Sequence, residues 1–397
     1  MGSNRLDSSG RFQRNNTAGR RAWLRWLPAV AAPVAIASGA LIGSLPAGAS
    51  NPLPARTPAQ VLELAASHQV QSFSGTVEQS AELGLPELPA AGKPSGPASP
   101  GSVGSVASVV ELLTGTHTAR VYVDGKDNAR VQVMDQLAER DAVRHGSDVW
   151  FYSSKDNTAE HLALPARSQD PGQTKDPALS KEGQGAAGMH TPGELAQQFL
   201  SKVDPSTAVS VGPDVSVAGR AAYNLLLEPR TDATLVGKVA IAVDGASGMP
   251  LSVQVTARGA DKPAFAAGFT SLSLDAPDQS VFTFSPPPGS SVKELPVPDR
   301  SGKHADAHDP SAMHADAKEN VTVAGAGWET VVGTAPGSAA AAGSLLQDPL
   351  LSQAAVAVPG GRLLSTALLN ILITDDGRIF AGMVPPERLQ AAAAVAR

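Results

Sequence analysis

The sequence predicts an α+β fold made mostly of antiparallel strands and divided into two unequal parts. Three observations predict it. Apolar residues alternate in short runs separated by turn residues from Phe73 to Phe284. Two capping boxes announce short helices that can cover part of a sheet. Ser301 to Glu319 is charged and nearly devoid of large apolar residues, so it reads as a linker to a small following unit.

Length and composition narrow the function before any motif does. The chain has 397 residues, enough for two ordinary domains, and a net charge of -6 with its positive charge gathered at the N-terminus. That balance argues against nucleic acid as a partner. Cysteine is absent, which excludes disulfides, thiolate metal sites and a lipidated cysteine anchor. The 38 glycines and 32 prolines point to many loops rather than a helical bundle.

Residues 1–49 read as an export signal. Arg5, Arg11, Arg14, Arg20, Arg21 and Arg25 precede a stretch from Leu27 to Ala55 without Asp, Glu, Lys or Arg, and Ala47-Gly48-Ala49 fits the small-residue rule for cleavage. The expected location is extracytoplasmic: cell envelope or secreted. The alternative is a retained anchor, since Trp26 to Leu45 is about long enough to span a bilayer. Arg20-Arg21-Ala22-Trp23-Leu24-Arg25 also leaves open a twin-arginine route.

The elements follow in order. Thr57-Pro58-Ala59-Gln60 is a capping box with proline at the first helical position, and Val61, Leu64 and Ala65 give that helix an apolar face. Phe73 to Leu83 alternates as a first strand, and Gly84 to Ser108 is a loop rich in Gly, Pro and Ser. Strands are expected at Thr118–Asp124, Ala129–Leu137, Asp148–Ser154 and Glu160–Leu164, close enough together for an antiparallel meander. In them Val121, Val123, Val131, Val133, Val149 and Phe151 share one face, while Arg120, Arg130, Gln132 and Asp148 take the other.

Ala166 to His190 reads as a second polar loop, closed by a second capping box at Thr191-Pro192-Gly193-Glu194. Leu195, Ala196, Phe199, Leu200 and Val203 form the stripe of the helix that follows. Strand patterns resume at Tyr223, Leu225, Leu227, then at Val239, Ile241, Val243, and at Leu251, Val253, Val255. Phe269–Leu274 and Val281–Phe284 complete the series before Pro286-Pro287-Pro288-Gly289. Beyond the linker, a hairpin from Leu363 to Val384 sets Leu369, Ile371 and Ile373 against Ile379, Ala381 and Met383. Such a hairpin needs another surface, which could be the main sheet, the Trp328 to Val332 segment or another protein, and extension of the main sheet is the favoured outcome. Ala335 to Gly343 is a low-complexity interruption, and Glu387 to Ala396 is an Ala-rich terminal helix.

No nucleophile elbow, phosphate loop, dinucleotide fingerprint or zinc-protease spacing is present, and the carboxylates are scattered, so neither catalysis nor a cofactor is expected. His304, His308 and His314, interleaved with Asp306, Asp309 and Asp316, are the candidates for a metal site; composition reads them instead as a solvated linker. Trp150 and Tyr152 share one strand face and Phe151 the other, so an aromatic faces each side of the sheet. Core packing accounts for each singly, and one of the two faces is the candidate wall of a cavity.

The order helix, meander, loop, helix, further strands, closed by Phe282-Thr283-Phe284-Ser285-Pro286-Pro287-Pro288-Gly289, resembles the LolA/LppX/RseB-like superfamily, and more closely its actinobacterial LolA-like branch. Gly115 to Val121, Asp148 to Ser154, Ala218 to Tyr223 and Thr374 to Arg378 carry the same resemblance. It implies an unclosed (half) β-barrel with helices covering its concave mouth and an apolar cavity that takes acyl chains. The additional C-terminal β-rich unit is the layout of RseB-type regulators, which bind an anti-sigma factor.

The expected organisation is therefore a signal over 1–49, a LolA-like half-barrel domain over 50–298, a His/Asp-rich linker over 299–320 and a small β unit over 321–397. The leading function is a carrier of lipid or acylated protein that works at a membrane surface. Its expected lining is Val121, Val123, Val131, Val133, Val149, Phe151, Leu225, Leu227, Val253, Val255, Phe282 and Phe284. The alternative is an RseB-like regulator that grips a membrane protein.

Overall fold

The structure, a computed structural model, describes residues 52–84, 115–134, 138–164, 190–200, 203, 205–295, 321–334 and 353–395. The expected signal, most of the loops Gly84–Ser108 and Ala166–His190, the linker with His304, His308 and His314, and the Ala335–Gly343 interruption lie outside the described residues.

A single 12-stranded sheet is built from two meanders that meet at its middle. From β1 (Ser72–Ala81) the chain steps outward through β2 (Gly115–Asp124), β3 (Asn128–Met134), β4 (Glu139–His145), β5 (Asp148–Ser153) and β6 (Thr158–Ala163). It then starts again at the far edge with β7 (Thr207–Val217) and returns through β8 (Arg220–Pro229), β9 (Val236–Asp244) and β10 (Pro250–Ala257). The last of these strands, β11 (Pro263–Ser273), pairs antiparallel with β1. A final short strand, β12 (Ser291–Glu294), crosses to the other edge and pairs parallel with β6, so the sheet is mixed and unclosed, with β7 and β12 at its edges.

Both capping boxes form. Thr57 accepts from the Gln60 amide while the Gln60 side chain accepts from the Thr57 amide, opening α1 (Pro58–Ala66). Thr191 and Glu194 repeat the exchange at the head of α2 (Pro192–Leu200). Val61 and Ala65 of α1 and Leu195, Ala196 and Phe199 of α2 are buried against Tyr223, Leu225, Ile241, Val253 and Phe265. The face that receives these helices is termed inward. The end of α1 sits so close to the β9–β10 turn that a Cβ at Gly248, whose φ is +76°, would lie 2.4 Å from the Leu64 carbonyl oxygen.

In the main sheet three strands escape the sequence pattern, and one expected strand does not form. β4 hides behind Glu139, Arg140, Asp141 and Arg144, and two of these charges are matched by neighbours: Arg130 grips Asp141 through two bonds of 3.1 and 2.6 Å, and Arg144 reaches Asp127 at 2.9 Å. Burial pushes the Asp141 carboxyl above the usual carboxylate range, against the pull of Arg130. β7 is broken in pattern at Gly212-Pro213-Asp214, which the sheet absorbs as a register shift between Gly212 and Val215. β12 has only four residues. The expected strand at Val281–Phe284 is instead a 3₁₀ turn over Gln279–Phe282, started by Asp278, whose side chain accepts from the Ser280 amide.

The C-terminal unit is a six-stranded antiparallel sheet of its own. Its strands are β13 (Val321–Ala324), β14 (Val331–Thr334), β15 (Val356–Val358), β16 (Gly361–Ser365), β17 (Asn370–Thr374) and β18 (Ile379–Gly382), followed by α3 (Pro386–Val395). The β17–β18 hairpin has the expected register, with Ile371 opposite Ala381 and Ile373 opposite Ile379. It does not extend the main sheet, however, because β14 and β16 supply its ladder partners. One face of this sheet buries Leu372, Phe380 and Val384 against Leu389 and Ala393 of α3. The unit meets the main sheet through Trp328, Leu364, Leu368 and Met383, which join the core formed by α1, α2 and β8–β11. The amide of Leu235 and the hydroxyl of Thr234 both donate to the Met383 carbonyl, at 2.9 and 2.7 Å, and the Ala367 amide donates to the Leu83 carbonyl at 2.9 Å.

Candidate functional site

Residues opposite each other in a ladder share a face of the sheet, so the registers fix which side chains lie together. Leu225 pairs with Ile241, Ile241 with Val253, Val253 with Ala267, Ala267 with Gln79, and Gln79 with His117. A second row runs Gly75, Val121, Val131, Ala142, Phe151, Glu160. Because Gly75 and Gln79 are four apart on β1, both rows lie on the inward face. Val121, Val123, Val131, Val133, Val149, Phe151, Leu225, Leu227, Val253 and Val255 are thus brought to one face of one sheet.

They pack in two groups. Leu225, Leu227, Val253 and Val255 are sealed beneath α1, α2 and the C-terminal unit. Val121, Val123, Val131 and Val133 cluster with Val77, Ala119, Leu251 and Phe269, and Phe151 packs against that group while remaining half-buried. No other member of the expected lining on this face keeps comparable exposure.

The two remaining residues are placed elsewhere. Phe284 lies 5.5 Å from Trp150 and 6.0 Å from Tyr152, centroid to centroid, on the face opposite Phe151. Phe282 is buried at the end of the 3₁₀ turn, whose Val281 carbonyl accepts from Arg130, an outward residue of β3. The reason is topological: after β11 the chain passes across the outward face of the first meander to reach β12, so its aromatic residues cover Trp150 and Tyr152. This strap is fastened by Gln279 donating to Asp124 at 2.7 Å and by Asn157, whose amide donates to the Gly289 carbonyl at 2.9 Å. Asn157 holds φ +47°, a left-handed conformation that asparagine tolerates well.

The inward face also carries polar residues that alternation did not single out. Gln79 and His117 are buried in the first row, and Arg144 and Glu160 are buried near the β6 edge. Strict period-2 reading of β1 and β2 would have found Gln79 and His117, whereas Arg144 and Glu160 needed the β4 register. Among the described residues no group of three or more His, Asp or Glu is arranged to hold a metal, and no helix is long and apolar enough to cross a membrane.

No protein-family model and no curated protein matches the sequence. Solved structures align with it at low identity. The MucA/MucB complex of Pseudomonas aeruginosa aligns with 14% identity and a TM-score of 0.38, over 84% of this chain and 95% of that one. A LolA superfamily protein from Nitrosomonas europaea aligns with 13% identity and a TM-score of 0.21, over 58% of this chain and 99% of that one. An uncharacterised conserved protein from Thermus thermophilus aligns with 11% identity and a TM-score of 0.32, over 60% of this chain and 98% of that one.

Proposed function

We propose that the chain is an exported carrier of the actinobacterial LolA-like kind, which holds acyl chains of a lipid or acylated protein against the inward face of its unclosed sheet. The observation that supports this reading is that apolar residues of both meanders, from Val255 and Leu225 to Val131 and Phe151, share one face of one sheet. Each methylene moved from water onto such a face contributes about 0.8 kcal/mol, so a chain of ordinary lipid length binds without any specific polar contact. The β8–β10 part of the face is occupied by helices, which leaves the Phe151 side as the place of entry. Catalysis plays no part in this reading. Export with processing after Ala49 goes with it, and N-terminal sequencing of the protein recovered outside the cytoplasm checks that step.

The direct experiment is mass spectrometry of whatever co-purifies with the protein, together with titration of a fluorescent fatty acid. Stoichiometric lipid, and probe binding abolished by Phe151→Asp with the fold retained, are the expected results. Absence of lipid and of probe binding, with a membrane protein captured through the C-terminal sheet instead, would replace the carrier with the RseB-type regulator.

A further inference from the structure

Among the described residues five charged side chains are buried: Asp141, Arg144, Glu160, Asp244 and Arg378. Four of them meet an opposite charge, Asp141 at Arg130, Arg144 at Asp127, Asp244 at Arg220 and Arg378 at Asp376. Glu160 of β6, only 7% exposed, does not: its carboxylate makes no hydrogen bond or ion pair, yet neither of its oxygens is sealed from the surface. We propose that Glu160 sets the specificity of the inward face, taking the primary ammonium of a zwitterionic phospholipid headgroup while Lys293 of β12 takes its phosphate.

The ladder places these groups at the entry to the apolar face. Glu160 stands opposite Phe151 on one side and opposite Lys293 on the other, so all three side chains lie inward. A lipid whose chain lies along Val131 and Phe151 therefore brings its polar end to β6 and β12. Lys293 is half-buried and opposite in sign to Glu160, but the two close no ion pair. An open pair of this kind offers an anion and a cation about one strand spacing apart, roughly 4.8 Å. A phosphate and an ammonium joined by two carbons span a similar distance. The arginines of this face, Arg140 and Arg144 of β4, lie two strands from Glu160, and Arg144 already donates to Asp127 and to the Gly146 carbonyl.

A carboxylate withdrawn from water without donors costs free energy, and a ligand that supplies the donors recovers that cost as affinity. The acyl chain contributes most of the binding, and Glu160 discriminates among heads. A primary ammonium donates N–H bonds to the carboxylate, a quaternary ammonium of the same charge has none to donate, and an anionic head meets a like charge. This assignment rests on the carrier reading, because only an acyl chain on the inward face brings a headgroup to Glu160.

Competition of oleoyl lysophosphatidylethanolamine and oleoyl lysophosphatidylcholine against a fluorescent fatty acid, on the purified protein, tests this. The two lipids share chain, phosphate and net charge, and differ in whether the nitrogen carries N–H groups or methyls. The ethanolamine lipid is expected to bind roughly tenfold more tightly, as a hydrogen bond to a charged group allows. Glu160→Gln should remove most of that preference by weakening the ethanolamine lipid. Lys293→Gln should weaken both lipids alike, by roughly threefold, since both carry the phosphate. Lys293 belongs to a four-residue edge strand, so its variant keeps the test open if the Glu160 variant folds poorly. Equal affinity for the two lipids in the wild type, a preference kept by folded Glu160→Gln, or unchanged affinities in Lys293→Gln overturns the headgroup assignment, and fatty-acid binding then leaves the carrier reading standing. Failure of the fatty acid and of both lipids to bind overturns the carrier reading and this assignment with it.

Discussion

Trp328 Nε1 donates to Thr207 Oγ1 at 2.8 Å, and both residues are buried. The bond ties the C-terminal sheet to the first residue of β7, the edge strand of the main sheet, while the indole lies parallel to Phe199 of α2 at 6.2 Å. The two sheets therefore share one core and should unfold as one unit. Trp328→Ala is expected to lower stability by about 3–5 kcal/mol, as other buried aromatic truncations do. Trp328→Phe keeps most of the packing and should cost about 1 kcal/mol for the hydrogen bond. Urea denaturation followed by circular dichroism reads both. Deleting the residues after Asn320 should likewise lower the melting temperature of what remains, and a truncated protein that melts like the full chain would contradict the shared core.

Asp244 and Arg220 make the second prediction. Asp244 is buried beside the β9–β10 turn, and Arg220 donates to both of its oxygens, at 2.9 and 2.8 Å, while the Ser247 amide and hydroxyl also donate to it. Burial alone would raise the Asp244 carboxyl; the bonds from Arg220 and Ser247 together outweigh it and hold the group below its ordinary value of 3.8. A depressed carboxylate stabilises the fold above the unfolded pKa, near 4, and that contribution disappears as pH falls through the folded value. Asp244→Asn should therefore reduce stability at pH 7 and flatten its decline below pH 4. Asp244→Ala, which strands a partly buried guanidinium, should cost about 2–4 kcal/mol at neutral pH.

Much of this was legible in the sequence, and what was not has a physical cause. The capping boxes located both helices because capping is local chemistry: Thr57 with Gln60, and Thr191 with Glu194, satisfy each other's amides within one turn. The face shared by Val121, Val131 and Phe151 followed from period-2 alternation. Alternation failed at β4, where Arg140 and Arg144 point inward beside Ala142, because charge matching by Asp127 and burial along the sheet are not local properties. It failed for Phe284 in another way. Phe-x-Phe is a strand pattern, but the crossing to β12 placed that segment on the outward face, and only the chain's path decides between faces.

The two packing groups of the inward face should respond differently to truncation. Leu225 is completely buried beneath the helices, so Leu225→Ala should cost about 2–5 kcal/mol and alter ligand binding only through stability. Phe151 is half-buried at the other end, where Phe151→Ala should cost less stability and weaken fatty-acid binding about tenfold or more, by loss of apolar contact. Thermal melts and probe titrations on the same preparations separate the two effects. If Leu225→Ala abolished binding while Phe151→Ala left it intact, the ligand would lie under the helices instead.

Gly75 carries the last prediction. It stands in the middle of β1, inward, where β11 inserts an extra residue: Thr76 is opposite Ser271 and Val77 is opposite Phe269, so Thr270 bulges out of the ladder. The bulge tips the Phe269 ring over Gly75, and Phe73 meets that ring edge-on at 5.9 Å. A Cβ at Gly75 would lie 2.5 Å from the Ser271 carbonyl oxygen and 2.9 Å from the edge of the Phe269 ring. The ring could rotate away, but the carbonyl belongs to the ladder and could yield only if the bulge shifted. Gly75→Ala is therefore expected to destabilise by about 1–3 kcal/mol, although alanine is otherwise the better residue in a strand. Ser74→Ala, one residue earlier on the outward face, should stay within about 0.5 kcal/mol of wild type. Combining Gly75→Ala with Phe269→Leu removes the aromatic half of the clash and leaves the carbonyl half, so the double variant should lose less stability than the two single losses added together. Strict additivity of the pair, or a Gly75→Ala protein that melts with the wild type, would mean that β1 and β11 are not in this register.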